Sequence, residues 1–71
     1  MFNTATVIHL IGDPYLKLHH KAKGCWYFEF DDHGLVGTKM MLVQRLNDLP
    51  LHTWVNEGKT FAAAMRAQRE R

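Results

Sequence analysis

The sequence predicts an α+β fold in which a small three-stranded antiparallel β-meander packs against two α-helices. Segments of the first half are β-branched or alternate between apolar and polar residues, and turn residues separate them. In the second half the apolar residues recur at helical spacing. The chain has 71 residues, 46% hydrophobic and 23% charged, so we expect one globular domain over residues 1–71 with a small core.

Two strands are predicted before residue 21. Residues 4–11 are rich in β-branched side chains and are followed by the turn residues Gly12, Asp13 and Pro14. Residues 15–20 alternate, which is typical of a half-buried strand. The segment 21–24 then provides a hairpin connection to the next strand.

The third predicted strand, residues 25–31, has the clearest alternation. Trp26, Phe28 and Phe30 share one side of it, and we expect them to form the core under the helices. Residues 32–34, Asp-His-Gly, predict a second turn.

The first helix is predicted over residues 38–49. It begins at a Thr38 N-cap and ends at Pro50. Its buried side is expected to consist of Leu42, Val43, Leu46 and Leu49.

The last part of the chain predicts a second helix. Residues 52–55 are expected to form a short strand or an extended linker, and residues 56–58 a turn. Thr60 is expected to cap a helix over residues 61–69, which is rich in alanine and has arginines near its end, where cations complement the helix dipole.

Signals for secretion or membrane insertion are absent from the sequence. Its first four residues lack the basic and apolar regions of a secretory signal. The apolar run 40–43 is far shorter than the about 20 residues that cross a bilayer. The single cysteine, Cys25, excludes an internal disulfide and fits a reducing compartment. We therefore expect a cytoplasmic protein without membrane contact.

No combination of residues indicates catalysis. The five histidines and Cys25 lack the paired spacing of a structural zinc site, and His19 and His20 would point to opposite sides of a strand. Nothing in the sequence suggests an activating partner for Cys25. Gly34 and Gly37 lack the Lys-Ser/Thr that follows a phosphate-binding loop. We expect no enzyme, no cofactor and no metal ligand.

Nucleic-acid binding is one of two functions left open. Segment 23–30 partly resembles the aromatic octapeptide of RNA-recognition motifs, but Cys25 and Trp26 depart from it. The net charge of +2 is mild for this function. Basic residues that could contact phosphates in two patches are Lys17, Lys21, Lys23, Lys59, Arg66, Arg69 and Arg71.

Protein binding is the function that the sequence favours. Tyr15 and Trp54 lie in predicted turn-rich segments, where a large aromatic ring either folds onto the core or is exposed as an anchor. A homodimer is the simplest form of such an interface, and it would supplement a small core. The candidate contact residues are Tyr15, Trp54, Lys17, Lys21, Arg66 and Arg69.

The stretch from residue 27 to 69 resembles a short domain of unknown function found in phage and mobile-element proteins. The resemblance rests on an aromatic strand, a helix, a Trp-Val segment and a terminal helix led by Phe; the residues concerned are Phe28, Phe30, Trp54, Val55 and Phe61. It implies a small accessory protein of a group that includes anti-CRISPR inhibitors. Such a protein would act by occluding a surface of a host protein, without an active site.

Overall fold

The computed structural model describes residues 1–70. The α+β class is confirmed, because these residues form a three-stranded antiparallel sheet, in the order β1-β2-β3, and two α-helices. Along the chain the elements are α1 (Thr4–Ile11), β1 (Leu16–Ala22), β2 (Cys25–Asp32), β3 (Leu35–Met41), a 3-10 turn (Leu46–Asp48) and α2 (Leu51–Arg69). Of the three predicted strands, only the second and third belong to the sheet.

Residues 4–11 form the helix α1, so the prediction of a strand there is wrong. The Asn3 side chain accepts a hydrogen bond from the Thr6 N–H (2.9 Å), and Gly12 ends the helix in the left-handed conformation with its N–H bonded to Ile8 O. The two caps satisfy backbone groups at both ends of the helix. They outweigh the preference of β-branched residues for strands.

The helix predicted over residues 38–49 is also wrong. His33 and Gly34 both adopt positive φ, 51° and 93°, which is the geometry of a two-residue hairpin turn whose twist suits the strands on either side. The chain therefore returns as β3 beside β2, and Thr38 lies within a strand rather than at an N-cap. Beyond β3, only the 3-10 turn Leu46–Asp48 is helical before Pro50.

α2 is one helix from Leu51 to Arg69, so the predicted strand or linker at 52–55 and the turn at 56–58 are wrong. Pro50 is its N-cap rather than the end of an earlier helix, and Thr60 lies inside it. A proline at a helix start sacrifices no intrahelical hydrogen bond. The buried residues of α2 recur every three or four positions and are Trp54, Gly58, Ala62 and Met65.

The core lies between the helices and one side of the sheet. Phe28 and Phe30 on β2 are fully buried, as the sequence predicts, and Trp54 of α2 packs edge-to-face on Phe28 with ring centroids 6.1 Å apart. Trp26, on the same side, packs edge-to-face against Trp54 at 6.2 Å. We call this side of the sheet the covered face.

Gly58 allows α2 to approach its neighbours closely. A Cβ at this position would lie 2.2 Å from Ile11 Cδ1, closer than such atoms pack, and 3.1 Å from Phe28 Cε1, a tight contact. Gly37 of β3 lies under Met65 in the same way. Because Gly58 and Gly37 have no side chain, α2 can lie close to α1 and to the covered face.

Candidate binding surface

The other side of the sheet is uncovered in the structure of residues 1–70. Both helices pack on the covered face, and none of the side chains on the opposite side is buried. We call this side the open face; it consists of Lys17, His19 and Lys21 on β1, Cys25, Tyr27, Glu29 and Asp31 on β2, and Val36, Thr38 and Met40 on β3. Strand alternation places all ten on one surface.

Tyr27 stands at the centre of the open face, between His19 on β1 and Met40 on β3. Its ring lies against the His19 ring with centroids 5.0 Å apart and planes inclined by 33°. His19 Nε2 in turn lies 2.9 Å from Glu29 Oε1. The tyrosine is thus held in place by its neighbours, and its half-buried ring is presented to solvent.

An apolar strip runs along β3 beside Tyr27. Val36 is 57% exposed and Met40 is 51% exposed, and Leu42 just after the strand is also exposed. Cys25 Sγ contacts Met40 Sδ at 3.4 Å. A shallow cavity of about 190 Å³ in this part of the face is lined by Lys21, Tyr27, Thr38 and Met40.

The charges of the open face are confined to β1 and β2. Lys17 and Lys21 lie on β1, whereas Glu29 and Asp31 lie on β2 near the end of the sheet away from Lys21. β3 contributes no charged side chain to this face, because Lys39 points to the covered face. The face is therefore apolar along one edge and charged along the other.

Three of the basic residues predicted to contact a ligand lie at this surface or its edge. Lys17 and Lys21 are exposed on the open face, and Lys23 is exposed in the turn that follows β1. Tyr15 lies at the other end of β1, where its half-buried ring packs edge-to-face on Phe30 (6.4 Å). The Tyr15 ring therefore packs at the edge of the core rather than on the open face.

Trp54 is the predicted contact residue that the structure removes from the surface. Its exposed fraction is 0%, and its Nε1 donates to Leu46 O at 2.7 Å. Of the two alternatives for this aromatic ring, folding onto the core is the one observed. Since residues 52–55 form the first turns of α2 rather than a loop, the ring faces the sheet.

Arg66 and Arg69 do not join the lysines of the open face. Arg66 forms an ion pair with Asp13 and lies 5.4 Å over the Phe30 ring, and Arg69 bonds the Asp32 carboxylate at 3.0 Å. Both arginines belong to α2 and so lie on the helical side of the sheet. The hydrogen bond from Arg66 to Asp13 raises the pKa of the arginine.

Lys59 is exposed on α2 as well, and Arg71 lies outside the described residues. The basic residues of α2 and those of β1 are therefore on opposite sides of the sheet. One continuous groove cannot contain both predicted basic patches.

Asp32 is a buried acidic residue at the end of β2. It accepts a hydrogen bond from His33 Nδ1 (2.6 Å) in addition to the bond from Arg69. The contact with His33, followed by the charge of Arg69, holds the pKa of Asp32 below its ordinary value of 3.8. This cluster fastens the β2–β3 turn to the end of α2.

The sequence prediction missed Tyr27, Val36 and Met40 as surface residues. Met40 lies in the helix predicted over residues 38–49, and Val36 lies between the predicted turn at 32–34 and that helix. For Tyr27 a signal was available, because alternation that places Phe28 inside must place its neighbour on the opposite side.

The described residues contain no group of three or more His, Cys, Asp and Glu side chains arranged to hold a metal ion. His19 lies on the open face, whereas His20 stacks on Trp26 at the covered side (4.1 Å). In residues 1–70, neither helix combines the length and the apolar character needed to span a bilayer.

Comparison of the chain with protein-family models, with curated proteins and with solved structures finds no match.

Proposed function

We propose that this protein is a non-enzymatic binding module that docks its open face on a partner protein. The observation that supports the proposal is the uncovered sheet side, with Tyr27 at its centre and an exposed apolar strip beside it. Tyrosine is one of the residue types that contribute most to protein interfaces, because a large rigid ring is buried at small entropic cost.

The chemistry of the strip favours a protein partner. Val36 and Met40 are both more than half exposed, and burying apolar surface contributes about 25 cal/mol per Å². Because Met40 lies directly opposite Tyr27 on β3, a partner that covers the ring also covers Met40. Phosphates would gain nothing from contact with this edge.

The lysines of β1 add orientation to the apolar contact. Lys17 and Lys21 lie at the opposite edge from the strip, where they would form part of the charged rim of an interface. Rim charges steer association and fix the orientation of the partners. We expect the partner to present an apolar patch bordered on one side by acidic residues.

The resemblance of the sequence to a domain of phage and mobile-element proteins suggests the class of protein to which the partner belongs. In the proposed role the partner is a host protein, and the open face inhibits it by covering a functional surface. Occlusion needs no catalytic group in this chain, so it fits a binding face built from one sheet.

Affinity capture with two matched variants tests the proposal. Tyr27→Lys places a cation at the centre of the open face, and Leu10→Lys places the same side chain on α1, where Leu10 is 48% exposed. We expect one protein to be retained by the native chain and by Leu10→Lys and to be lost with Tyr27→Lys, after nuclease treatment of the lysate. Equal retention by Tyr27→Lys would contradict the proposal.

Nucleic-acid binding is a second candidate because the same face presents stacked rings beside cations. Tyr27 and His19 lie against each other between Lys17 and Lys21, an arrangement that suits bases stacked on rings and phosphates on lysines. Glu29 and Asp31 oppose it on the same face. If this candidate is correct, affinity for a single-stranded oligonucleotide falls steeply with salt and falls further in Lys17→Glu/Lys21→Glu.

A further inference from the structure

The two edges of the sheet differ in how they are protected against pairing with another strand. β1 carries an irregular register between His20 and Ala22, contributes Lys17 and Lys21 to the open face, and packs against α1. β3 pairs regularly with β2 over all of its seven residues and contains no proline. Bulges and lysines are the usual protection of edge strands. β3 has no bulge, and its one lysine, Lys39, is paired with Glu57 on the covered face, so β3 is the edge open to a further strand.

The register shows which backbone groups of β3 are free. In an antiparallel strand the N–H and C=O of one residue point to the same neighbour, and successive residues alternate between the two neighbours. Asp31 N–H donates to Tyr15 O, on the side of β1, at 3.0 Å. The odd-numbered residues of β2 therefore bond towards β1, and the even-numbered residues bond towards β3.

The even-numbered residues of β2 pair with the odd-numbered residues of β3, for example Phe30 with Gly37 and Phe28 with Lys39. The backbone groups of Val36, Thr38 and Met40 must then point away from the sheet. None of the hydrogen bonds found outside the regular elements of residues 1–70 reaches these groups. Their side chains lie on the open face, so the free edge and the exposed apolar strip are formed by the same three residues.

We propose that two copies of this chain pair through β3, antiparallel, about a two-fold axis that passes beside Thr38. In this register Thr38 faces Thr38 of the second copy, and Val36 faces Met40 of the second copy. All of these residues present outward backbone groups, so each opposed pair forms two hydrogen bonds. The two sheets become one continuous sheet without a free β3 edge.

The side chains of β3 complement themselves in this register. On the open face each copy places Val36 beside Met40 of the other, so two exposed apolar groups per copy contact each other across the pairing and keep their outer surfaces on the joined open face. On the covered face Lys39 lies opposite Gly37 rather than opposite the other Lys39, and its Nζ already lies 2.7 Å from Glu57. The pairing thus places no like charges directly opposite each other.

This symmetry points to a second copy rather than to an unrelated peptide. A strand of another protein would need to supply complementary groups by itself, whereas β3 supplies them when it is reversed against its own sequence. The dimer also supplements a small core. It does not depend on the proposed function, although it would place two open faces side by side on one surface.

Thr38→Pro tests the interface without disturbing the β2–β3 ladder. The Thr38 N–H points outward, so proline there removes a donor from the dimer and none from the fold. In sedimentation equilibrium we expect the native chain to be a dimer and Thr38→Pro to be a monomer with the native circular dichroism spectrum. A monomeric native chain at high concentration would overturn the proposal, as would a dimer of unchanged Kd in Thr38→Pro.

A charge pair at the same position separates a lost interface from a damaged fold. Thr38→Lys and Thr38→Glu each place like charges at the two-fold axis, and each is expected to raise the dimer Kd by roughly fivefold or more. An equimolar mixture of the two variants is expected to recover dimers, because each Lys then faces a Glu. Failure of the mixture to recover dimers, with both variants folded, would place the interface elsewhere.

Discussion

Neighbouring residues of β2 differ in burial because their side chains lie on opposite sides of the sheet. Phe28 and Phe30 on the covered face are 0% exposed and lie under α2, whereas Tyr27, immediately before Phe28, belongs to a face without any buried side chain in residues 1–70. The same strand therefore supplies the centre of the core and the centre of the candidate binding surface. The difference shows that buried core and uncovered surface are divided by strand parity, and the proposed division between stability and recognition can be tested one residue at a time.

The largest difference in the free energy of unfolding is expected between the variants Phe28→Ala and Tyr27→Ala. Phe28→Ala leaves a cavity under Trp54 and should lower the free energy of unfolding by about 3–5 kcal/mol, enough to unfold so small a domain. Tyr27→Ala removes a ring from the open face and should lower it by less than about 1 kcal/mol. Urea unfolding followed by circular dichroism measures both. Equal losses would show that the open face is covered in solution.

The two tryptophans on the covered side of the sheet differ in the hydrogen bonding of their indole N–H groups. Trp54 Nε1 donates to Leu46 O at 2.7 Å, whereas Trp26 Nε1 is buried without a partner among the described residues. Trp54→Phe leaves a buried carbonyl unpaired and should lower stability by about 1–3 kcal/mol. Trp26→Phe loses no hydrogen bond, so its loss should be smaller. Chemical denaturation of both variants checks the order, and a larger loss for Trp26→Phe would contradict this assignment.

Acid should weaken the fold through Asp32 on the covered face. Because contacts with His33 and Arg69 lower the pKa of Asp32 in the folded state, its contribution to stability is complete above 3.8 and is lost as pH falls through the lowered pKa. The melting temperature of the native chain should therefore fall below about pH 4 more steeply than that of Asp32→Asn. Parallel melting curves in both proteins would mean that Asp32 does not contribute.

The smallest effect on stability is expected for a substitution of Lys39, whose side chain lies on the covered face but reaches solvent. Its ion pair with Glu57 joins two side chains that are each more than a third exposed. Such pairs contribute about 0–1 kcal/mol. Lys39→Met should therefore change the free energy of unfolding by less than about 1 kcal/mol, and a larger loss would show a stronger role for this pair than exposure allows.

The sequence predicts the fold class correctly because β1 and β2 show clear alternation and a helix does occupy residues 61–69. It does not predict which segments are strands. In residues 4–11 the β-branched composition was given more weight than the Asn3 and Gly12 caps, although the caps decide the conformation. In residues 35–41 the helical spacing of later leucines concealed a strand that the His33-Gly34 turn makes possible.

The candidate surface was only half predictable for the same reason. The sequence predicts Lys17 on a strand and Lys21 in the hairpin connection after it, and the structure places both on β1. Val36 and Met40 can be assigned to a sheet face only after residues 35–41 are known to form a strand. The face of a residue depends on its element and on the strand register. Trp54 is open to two interpretations because residues 52–55, which form the start of α2, are predicted as a short strand or an extended linker.

The most direct test of the division between the two faces is amide NMR of the isotope-labelled protein as the captured partner is added. The account predicts chemical-shift changes concentrated at Lys17, Tyr27 and Met40, with the amides around Lys59 and Arg66 on α2 unchanged. Changes confined to α1 and α2, with the strand amides unaffected, would contradict it.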